Sequence, residues 1–456
     1  MDEETPVHVR LGAGGRNLGL LSLIAVMYLV VSGGAYGLED AVRMAGPNLT
    51  LLLCALVPLT LSLPTALMAA ELTALIPAEG GFYFWVKEGF GAWAGFIEAY
   101  LTILYTAVDM AIYPLLFASY LSFVIPISIT GQMIAGVGLI WLSGLLNVMG
   151  VRPVGRASLA LTVILLAPFI AFIIVGLPRL IHFVPPSQPL AGNDFLGALG
   201  GGLTVVIWNF GGWENLSVVA GEIKEPQRNY LRAVLVAVPL VTLGYLLPLG
   251  VALSGATSGV RWRLGWFAQE GHRIGGAPLG LALGVGGAVC AFAVFEAAML
   301  WVSRMPYVLA REGYLPPMLS NIWLGGATPV KSILLCCAVF TLLLPLGFVA
   351  LVILDVFFYM GALALEMGAL IRLRRLRPRR EGLFVIGGGR IALYAIVAAP
   401  LLTWFATFGL ALSQSAGRRD FILAIILALL GWPAYRWCRY RYGGPPLAAP
   451  AASSLP

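Results

Sequence analysis

Ser32-Gly33-Gly34-Ala35-Tyr36-Gly37-Leu38-Glu39 and Trp208-Asn209-Phe210-Gly211-Gly212-Trp213-Glu214 each set a paired glycine, followed closely by a carboxylate, inside an apolar run. Lipid cannot hydrogen-bond an opened helix, so a break at membrane depth must line a cavity. The half-helix ends at such a break present N–H and C=O groups that hold a solute or an ion. Gly211 follows Gly33 by 178 residues, so each stretch opens one half of the chain. That placement is the pattern of an inverted-repeat transporter, with the binding site where the repeats meet.

The rest of the chain supports a membrane setting. Of 456 residues, 60% are hydrophobic and 11% charged, and mean hydropathy is +0.91. Runs of about 20 apolar residues are long enough to cross a bilayer. About twelve are legible, at 18–46, 48–75, 92–125, 131–149, 158–180, 197–221, 231–254, 279–303, 331–348, 350–371, 391–413 and 420–438. The reading is an all-α polytopic membrane protein forming one membrane domain.

The net charge of +7 does not point to nucleic acid, because of where the charge sits. With an even number of spans and an inside amino terminus, both termini are cytoplasmic. About 21 of the 28 Lys and Arg residues then lie on the cytoplasmic side, which is the positive-inside bias. The arginines of 372–380 read as a topology anchor on anionic membrane lipid. Cys54, Cys290, Cys336, Cys337 and Cys438 lie in or beside apolar spans with no metal-ligand spacing, and read as small hydrophobes. The polar first 17 residues and the long span that follows argue against a cleavable signal peptide, and 441–456 reads as a disordered tail. Pro77 to Trp85 reads as a short amphipathic helix at the membrane interface, and 255–278 as an external loop. Gly221 to Pro226 ends a helix and opens a charged cytoplasmic turn.

The runs "SGGAYGLEDAV", "AAELTALIPAEGGFYFWV", "VDMAIYPLLF", "GWENLSVVAGEIKEP" and "FEAAML…LAREGYLPPML" resemble the amino acid–polyamine–organocation superfamily. The resemblance is strongest to the L-type-related branch that includes plant polyamine uptake transporters, and it spans the first ten helices in order. It implies a LeuT-like five-plus-five inverted repeat with discontinuous first and sixth helices. The divisions expected are a cytoplasmic segment 1–17, a first repeat 18–180, a second repeat 181–375, and two accessory helices with their preceding loop in 376–440. It also implies secondary transport of amino acids or polyamines, commonly on a proton gradient.

The ionisable residues in the spans are lopsided. Glu39, Glu71, Glu98, Asp109, Glu214, Glu296, Asp355 and Glu366 sit in or at the edges of apolar runs, with almost no Lys or Arg at that depth. A lone carboxylate there either takes a proton or meets a cation. Both outcomes suit a proton-linked carrier of amines, and neither suits a carrier of simple anions. Ser32, Gly33 and Gly34 offer main-chain groups to substrate, or else form a small-residue packing pair. Glu39 either faces the vestibule or bonds locally with Arg43. Trp208, Asn209, Phe210, Gly211 and Trp213 line the pocket with Glu214 beside it, the aromatics attracting an ammonium through their faces, or pack as a tight aromatic core.

Glu98, Thr102, Tyr105, Asp109 and Tyr113 share one side of the third span, because eleven residues are close to three turns. Asp109 and Tyr113 are candidate substrate ligands. Asp109, Glu296 and Glu98 are the candidate proton carriers, against satisfied structural bonding. Glu71 and Glu366 read as structural, and Asp355 stays open. Span 158–178 has no Lys or Arg to act as a proton switch, and 290–302 has no Ser or Thr for a sodium site. His8, His182 and His272 lie outside the spans. No metal-ligand cluster, cofactor motif, P-loop or hydrolase motif occurs, so an enzyme is not expected. A signalling domain has no room, and the expected assembly is a monomer or loose homodimer in the plasma membrane.

Overall fold

Apolar runs that satisfy their own backbone are helices, and the chain forms helices in sequence order with short connections. The computed structural model describes residues 19–76, 81–149, 155–181, 195–215, 226–254, 262–322, 328–377, 384–412 and 415–443. Among these residues, nine helices are long and apolar enough to cross a membrane, and 166–181 and 330–346 are shorter apolar helices.

The first apolar run is two short helices, α1 (Leu20–Val31) and α2 (Glu39–Ala45), parted by seven non-helical residues. α3 (Pro47–Val57) passes through a wide turn at Pro58–Ser62 into α4 (Leu63–Leu75), where Pro58 and Pro64 withhold ladder donors. α5 (Gly81–Phe90) leads into α6 (Ala92–Val124), followed by α7 (Ile129–Val148) and α8 (Gly155–Ile181). α9 (Phe195–Phe210) stops at Gly211-Gly212, and residues 213–215 form one tight turn. Then come α10 (Pro226–Ser254), α11 (Trp266–Val302), α12 (Arg304–Arg311), α13 (Val330–Leu343), α14 (Phe348–Leu376), α15 (Gly389–Ala411), α16 (Ser415–Leu429) and α17 (Gly431–Tyr442). α6 packs along both α11 and α14 at the centre, α2 packs on α9, and α1 packs against α8 and α10.

Three local expectations change. Residues 266–274, expected as loop, are helical and join the rest of α11 through a kink at Gly275 and Gly276. Phe267 is fully buried and meets Phe169 and Phe172 of α8 edge-on, at 5.5 and 6.3 Å. That apolar face explains why the segment folds in; Arg261 and the rest of 255–261 lie outside the described residues. α5 does not lie on lipid with its aromatics: Phe82, Tyr83 and Trp85 are buried against protein, and the Trp85 indole donates to the Ile76 carbonyl at 3.3 Å. Amphipathicity alone does not distinguish a lipid interface from a groove between helices. The turn expected at Gly221 to Pro226 lies largely outside the described residues.

Three arginines at the end of α14, Arg372, Arg374 and Arg377, meet protein groups rather than being left for lipid alone, and Arg379 and Arg380 lie outside the described residues. Arg374 makes a two-pronged bond to Glu71 of α4, and Glu71 also accepts from the Ile386 N–H at 2.7 Å. Arg377 pairs with Glu88, and Arg372 lies over the Phe90 ring at 5.4 Å. The structural role expected of Glu71 matches its neighbours. Because Glu71 is buried, Arg374→Met strands its carboxylate and should cost about 3–5 kcal/mol. The check is a thermal melt in detergent, in which Arg375→Met, at an exposed position, leaves the midpoint unchanged.

Candidate functional site

The first break is built by main-chain needs. Ser32 N–H closes α1 on the Tyr28 carbonyl at 2.7 Å, and the Ser32 hydroxyl then accepts from Gly34 N–H at 3.1 Å. Cys290 of α11 donates to the Gly33 carbonyl at 2.7 Å. Gly34 has φ +96, and a Cβ there would meet the Phe169 ring at 2.6 Å. Gly37 has φ +95, and a Cβ there would meet the Trp208 ring at 2.8 Å. Glycine is therefore required at both points by conformation and by space.

The second break is closed by side chains from neighbouring helices. The Phe210 carbonyl at the end of α9 accepts from the Ser62 hydroxyl and the Trp213 indole, both at 3.0 Å. The Asn209 carbonyl accepts from the Tyr245 hydroxyl at 2.8 Å. Gly212 N–H donates to the Tyr359 hydroxyl at 3.1 Å, and that hydroxyl donates to Glu214 at 3.1 Å. Helix ends that lipid would leave unmet are thus satisfied inside the protein.

Between the two breaks lies a cavity of about 100 Å³. Ser32, Gly33 and Gly34 form one wall, and Trp208, Asn209 and Gly211 form another. α6 supplies Tyr105, Asp109 and Tyr113, one per turn at four-residue spacing. α14 supplies Asp355 and Tyr359, again four residues apart. Asp109 accepts from the Trp208 indole at 2.9 Å. Asp355 on the neighbouring helix is buried, and its Oδ1 has no hydrogen-bond partner. The two aspartates lie within electrostatic reach of each other. No Lys or Arg lines the cavity among the described residues.

Aromatic layers bound the cavity along the helix axes. On one side Tyr36 packs against Tyr120 and Phe169, each at 4.6 Å between ring centres, and its hydroxyl donates to the Leu283 carbonyl at 3.1 Å. On the other side Tyr105 and Tyr359 meet edge-on at 5.7 Å, with the Tyr105 hydroxyl donating to Asn215 Oδ1 at 3.3 Å.

Several expected ligands are elsewhere. Glu39 is fully buried behind the tyrosine layer and does not line the cavity. It accepts from the Tyr120 hydroxyl, from Gly37 N–H at 2.7 Å and from Gly265 N–H at 3.2 Å, so it ties the break to α6 and to the turn before α11. Arg43, its expected local partner, instead bonds Asp40. Phe210 and Trp213 are buried in packing, and Glu214 bonds Tyr359 beneath the cavity. Glu296 does not face the cavity; it accepts from the Asn147 amide of α7 at 2.8 Å. Val294 lines the cavity, and two residues on a helix turn the next side chain about 200° away. Glu98, one level below Tyr105, bonds the Thr102 hydroxyl at 2.7 Å and is fully buried. Asp355, which the sequence left open, lines the cavity, and Tyr359 is among the lining residues that reading by motif left out. Their signal was the four-residue spacing of an acid and a tyrosine, matching Tyr105 and Asp109.

Comparison with known proteins identifies the family and several relatives. The profile of the amino acid permease family matches residues 18–430. The polyamine transporter PUT1 of Oryza sativa subsp. japonica is 31% identical over 432 residues, 93% of this chain and 79% of the relative. The polyamine transporter RMV1 of Arabidopsis thaliana is 30% identical over 379 residues, 82% of this chain and 76% of the relative. The branched-chain amino acid permease BcaP of Lactococcus lactis subsp. cremoris is 27% identical over 331 residues, 67% of this chain and 69% of the relative.

The packing of the first break gives a direct test. Gly37→Val should displace the Trp208 indole from Asp109 and abolish ligand binding and uptake. Gly91→Ala, where no atom lies within 4 Å of a built Cβ, is the comparison variant for a positive-φ glycine, at the start of α6 and 18 residues before Asp109. Purified yield, thermal melting and uptake of a labelled amine read the two together.

Proposed function

The chain belongs to the amino acid permease family of the amino acid–polyamine–organocation superfamily, and from that membership we propose that it carries organic amines across the plasma membrane by alternating access, coupled to protons. The observation that carries the reading is the pair Asp109 and Asp355, both lining a cavity that no described Lys or Arg lines. Two carboxylates in an apolar bundle, Asp355 buried and Asp109 partly so, without a counter-ion, are relieved by an ammonium and disfavour an anion. Trp208, Tyr113 and Tyr359 put aromatic faces around the same space, which favours a cation by about 0.5–2 kcal/mol per well-placed ring.

The same arrangement ranks substrates. A polyamine offers positive charge alone, whereas an amino acid also brings a carboxylate. That carboxylate would need the main-chain donors near Ser32, Gly33 and Gly34 to offset its repulsion from two aspartates. The named polyamine transporters among the relatives support the polycation, and the named branched-chain permease keeps the amino acid as the competing substrate. In this reading the repeats are 18–180 and 181–375, and the termini are cytoplasmic as the basic residues indicate.

Protons enter in one of two ways. A proton that competes with the amine for Asp109 drives exchange, and a proton carried on Glu296 beside Asn147 travels with the amine. Protein in vesicles with an imposed pH gradient should accumulate labelled putrescine or spermidine, and unlabelled arginine and leucine should compete more weakly. Asp109→Asn should weaken amine binding about tenfold or more, the loss of one charge-assisted bond. Glu296→Gln should leave binding intact and remove the pH-driven component. No accumulation or exchange of any amine sinks the reading, and undiminished pH-driven transport in both variants removes the proton assignment.

A further inference from the structure

α6 and α14 carry the same three residue types in mirrored order. α6 reads Glu98, Tyr105, Asp109, and α14 reads Asp355, Tyr359, Glu366. Acid and tyrosine are four residues apart at one level, and tyrosine and glutamate seven apart at the next. Each aspartate therefore lies eleven residues from its glutamate. The antiparallel neighbours thus present two tiers of acids with a tyrosine pair between them. The tyrosines meet edge-on at 5.7 Å, which fixes the register of the two helices at that level. Eleven residues are almost three turns, so each glutamate stays on the face of its aspartate, about 16 Å further along the axis.

The upper tier, Asp109 and Asp355, is the cavity already described. The lower tier has no role there. Glu98 is fully buried, Glu214 is 1% exposed and Glu366 is 3% exposed. Each has one carboxylate oxygen with no hydrogen-bond partner: Oε2 of Glu98, Oε1 of Glu214 and Oε2 of Glu366. Tyr105 and Tyr359 touch, Glu98 and Glu366 each lie two turns from their own tyrosine, and Glu214 bonds Tyr359, so the three carboxylates gather on one side of the pair and interact electrostatically. Among the described residues no Lys or Arg pairs with any of them. Glu71, comparably buried, shows what a structural acid looks like here: its carboxylate meets Arg374 and a main-chain N–H.

We propose that Glu98, Glu214 and Glu366 form a second ammonium station beneath the Tyr105–Tyr359 pair, so that a long linear polyamine is held at two levels, one charged end on Asp109 and Asp355 and the leading end on the glutamates. This rests on the amine-carrier reading and specifies its substrate as a tri- or tetra-amine. A four-carbon diamine is far too short to touch both tiers and occupies only the upper one. The tyrosines separate the stations, and their parting admits the leading ammonium. Tyr359 already bonds Glu214, so an ammonium arriving at Glu214 competes directly with the hydroxyl that holds the gate shut.

Chain length is the readout. Purified full-length protein is titrated by calorimetry with butane-, octane- and dodecane-diamine and with spermine, alongside amino-alcohols of matching length that carry one charge. The expected result is an affinity step of about ten- to hundredfold for the longest diamine and for spermine over butane-diamine, absent from the amino-alcohols. Glu98→Gln and Glu366→Gln should each shrink that step while leaving butane-diamine affinity within about twofold of wild type. A wild-type affinity that does not change with diamine length overturns the second station, and butane-diamine binding in the same series leaves the amine-carrier reading standing. A length step that survives in both variants overturns the assignment to these residues. Variants that change only the pH dependence of uptake, with the length step intact, make the glutamates proton carriers and likewise overturn it. Failure of every diamine, butane-diamine included, sinks the amine-carrier reading and this inference together.

Discussion

Main chain that lipid cannot satisfy is the constraint on which the rest of the structure depends. Two helices open at paired glycines, and every nearby element is arranged to meet the exposed groups. Ser62 and Tyr245 close the end of α9, Cys290 meets Gly33, and Glu39 gathers the N–H of Gly37 with that of Gly265. The donors come from α10, α11 and the wide turn after α3, so closing the breaks also fixes how those elements pack. What remains between the two breaks is a small polar chamber in an otherwise apolar bundle. Main-chain satisfaction therefore accounts for both the packing and the position of the site.

The acids divide by the company they keep. Glu71 has a guanidinium and a main-chain donor, and Glu39 has three donors; both are fasteners. Asp109 and Asp355 have little or nothing of the kind and face open space. Glu98, Glu214 and Glu366 each keep one oxygen without a partner in the protein interior. A buried carboxylate left in that condition destabilises the fold, and with Asp355 four acids along α6, α14 and the second break are kept in it. Stability and transport thus pull in opposite directions on these side chains.

The sequence disclosed the helical membrane architecture and both breaks because lipid permits so few alternatives. Ser32, Gly33, Gly34, Asp109, Tyr113, Trp208, Asn209 and Gly211 all reached the cavity, since each sits at a break or on the single polar stripe of α6. Facing direction was harder to read. Glu296 is only two residues from Val294, yet it turns to α7, and nothing in a local pattern says which neighbour a mid-helix acid will meet. Glu39 depends on Gly265, 226 positions away, and such long-range pairs leave no trace in spacing. Asp355 was visible as an acid, but its importance appears only once α14 lies beside α6. The helix 266–274 and the buried aromatics of α5 were misplaced because an amphipathic segment fits a protein groove as well as a lipid surface.

The indole of Trp208 touches both halves of the machinery at once. Its N–H is committed to Asp109, and the edge of its ring fills the space left by the missing Cβ of Gly37. A change at Asp109 Oδ1 that displaces the N–H also frees a ring packed on the linker between α1 and α2. The third apolar span is thereby tied to the first through one rigid side chain, a mechanical link of a single residue.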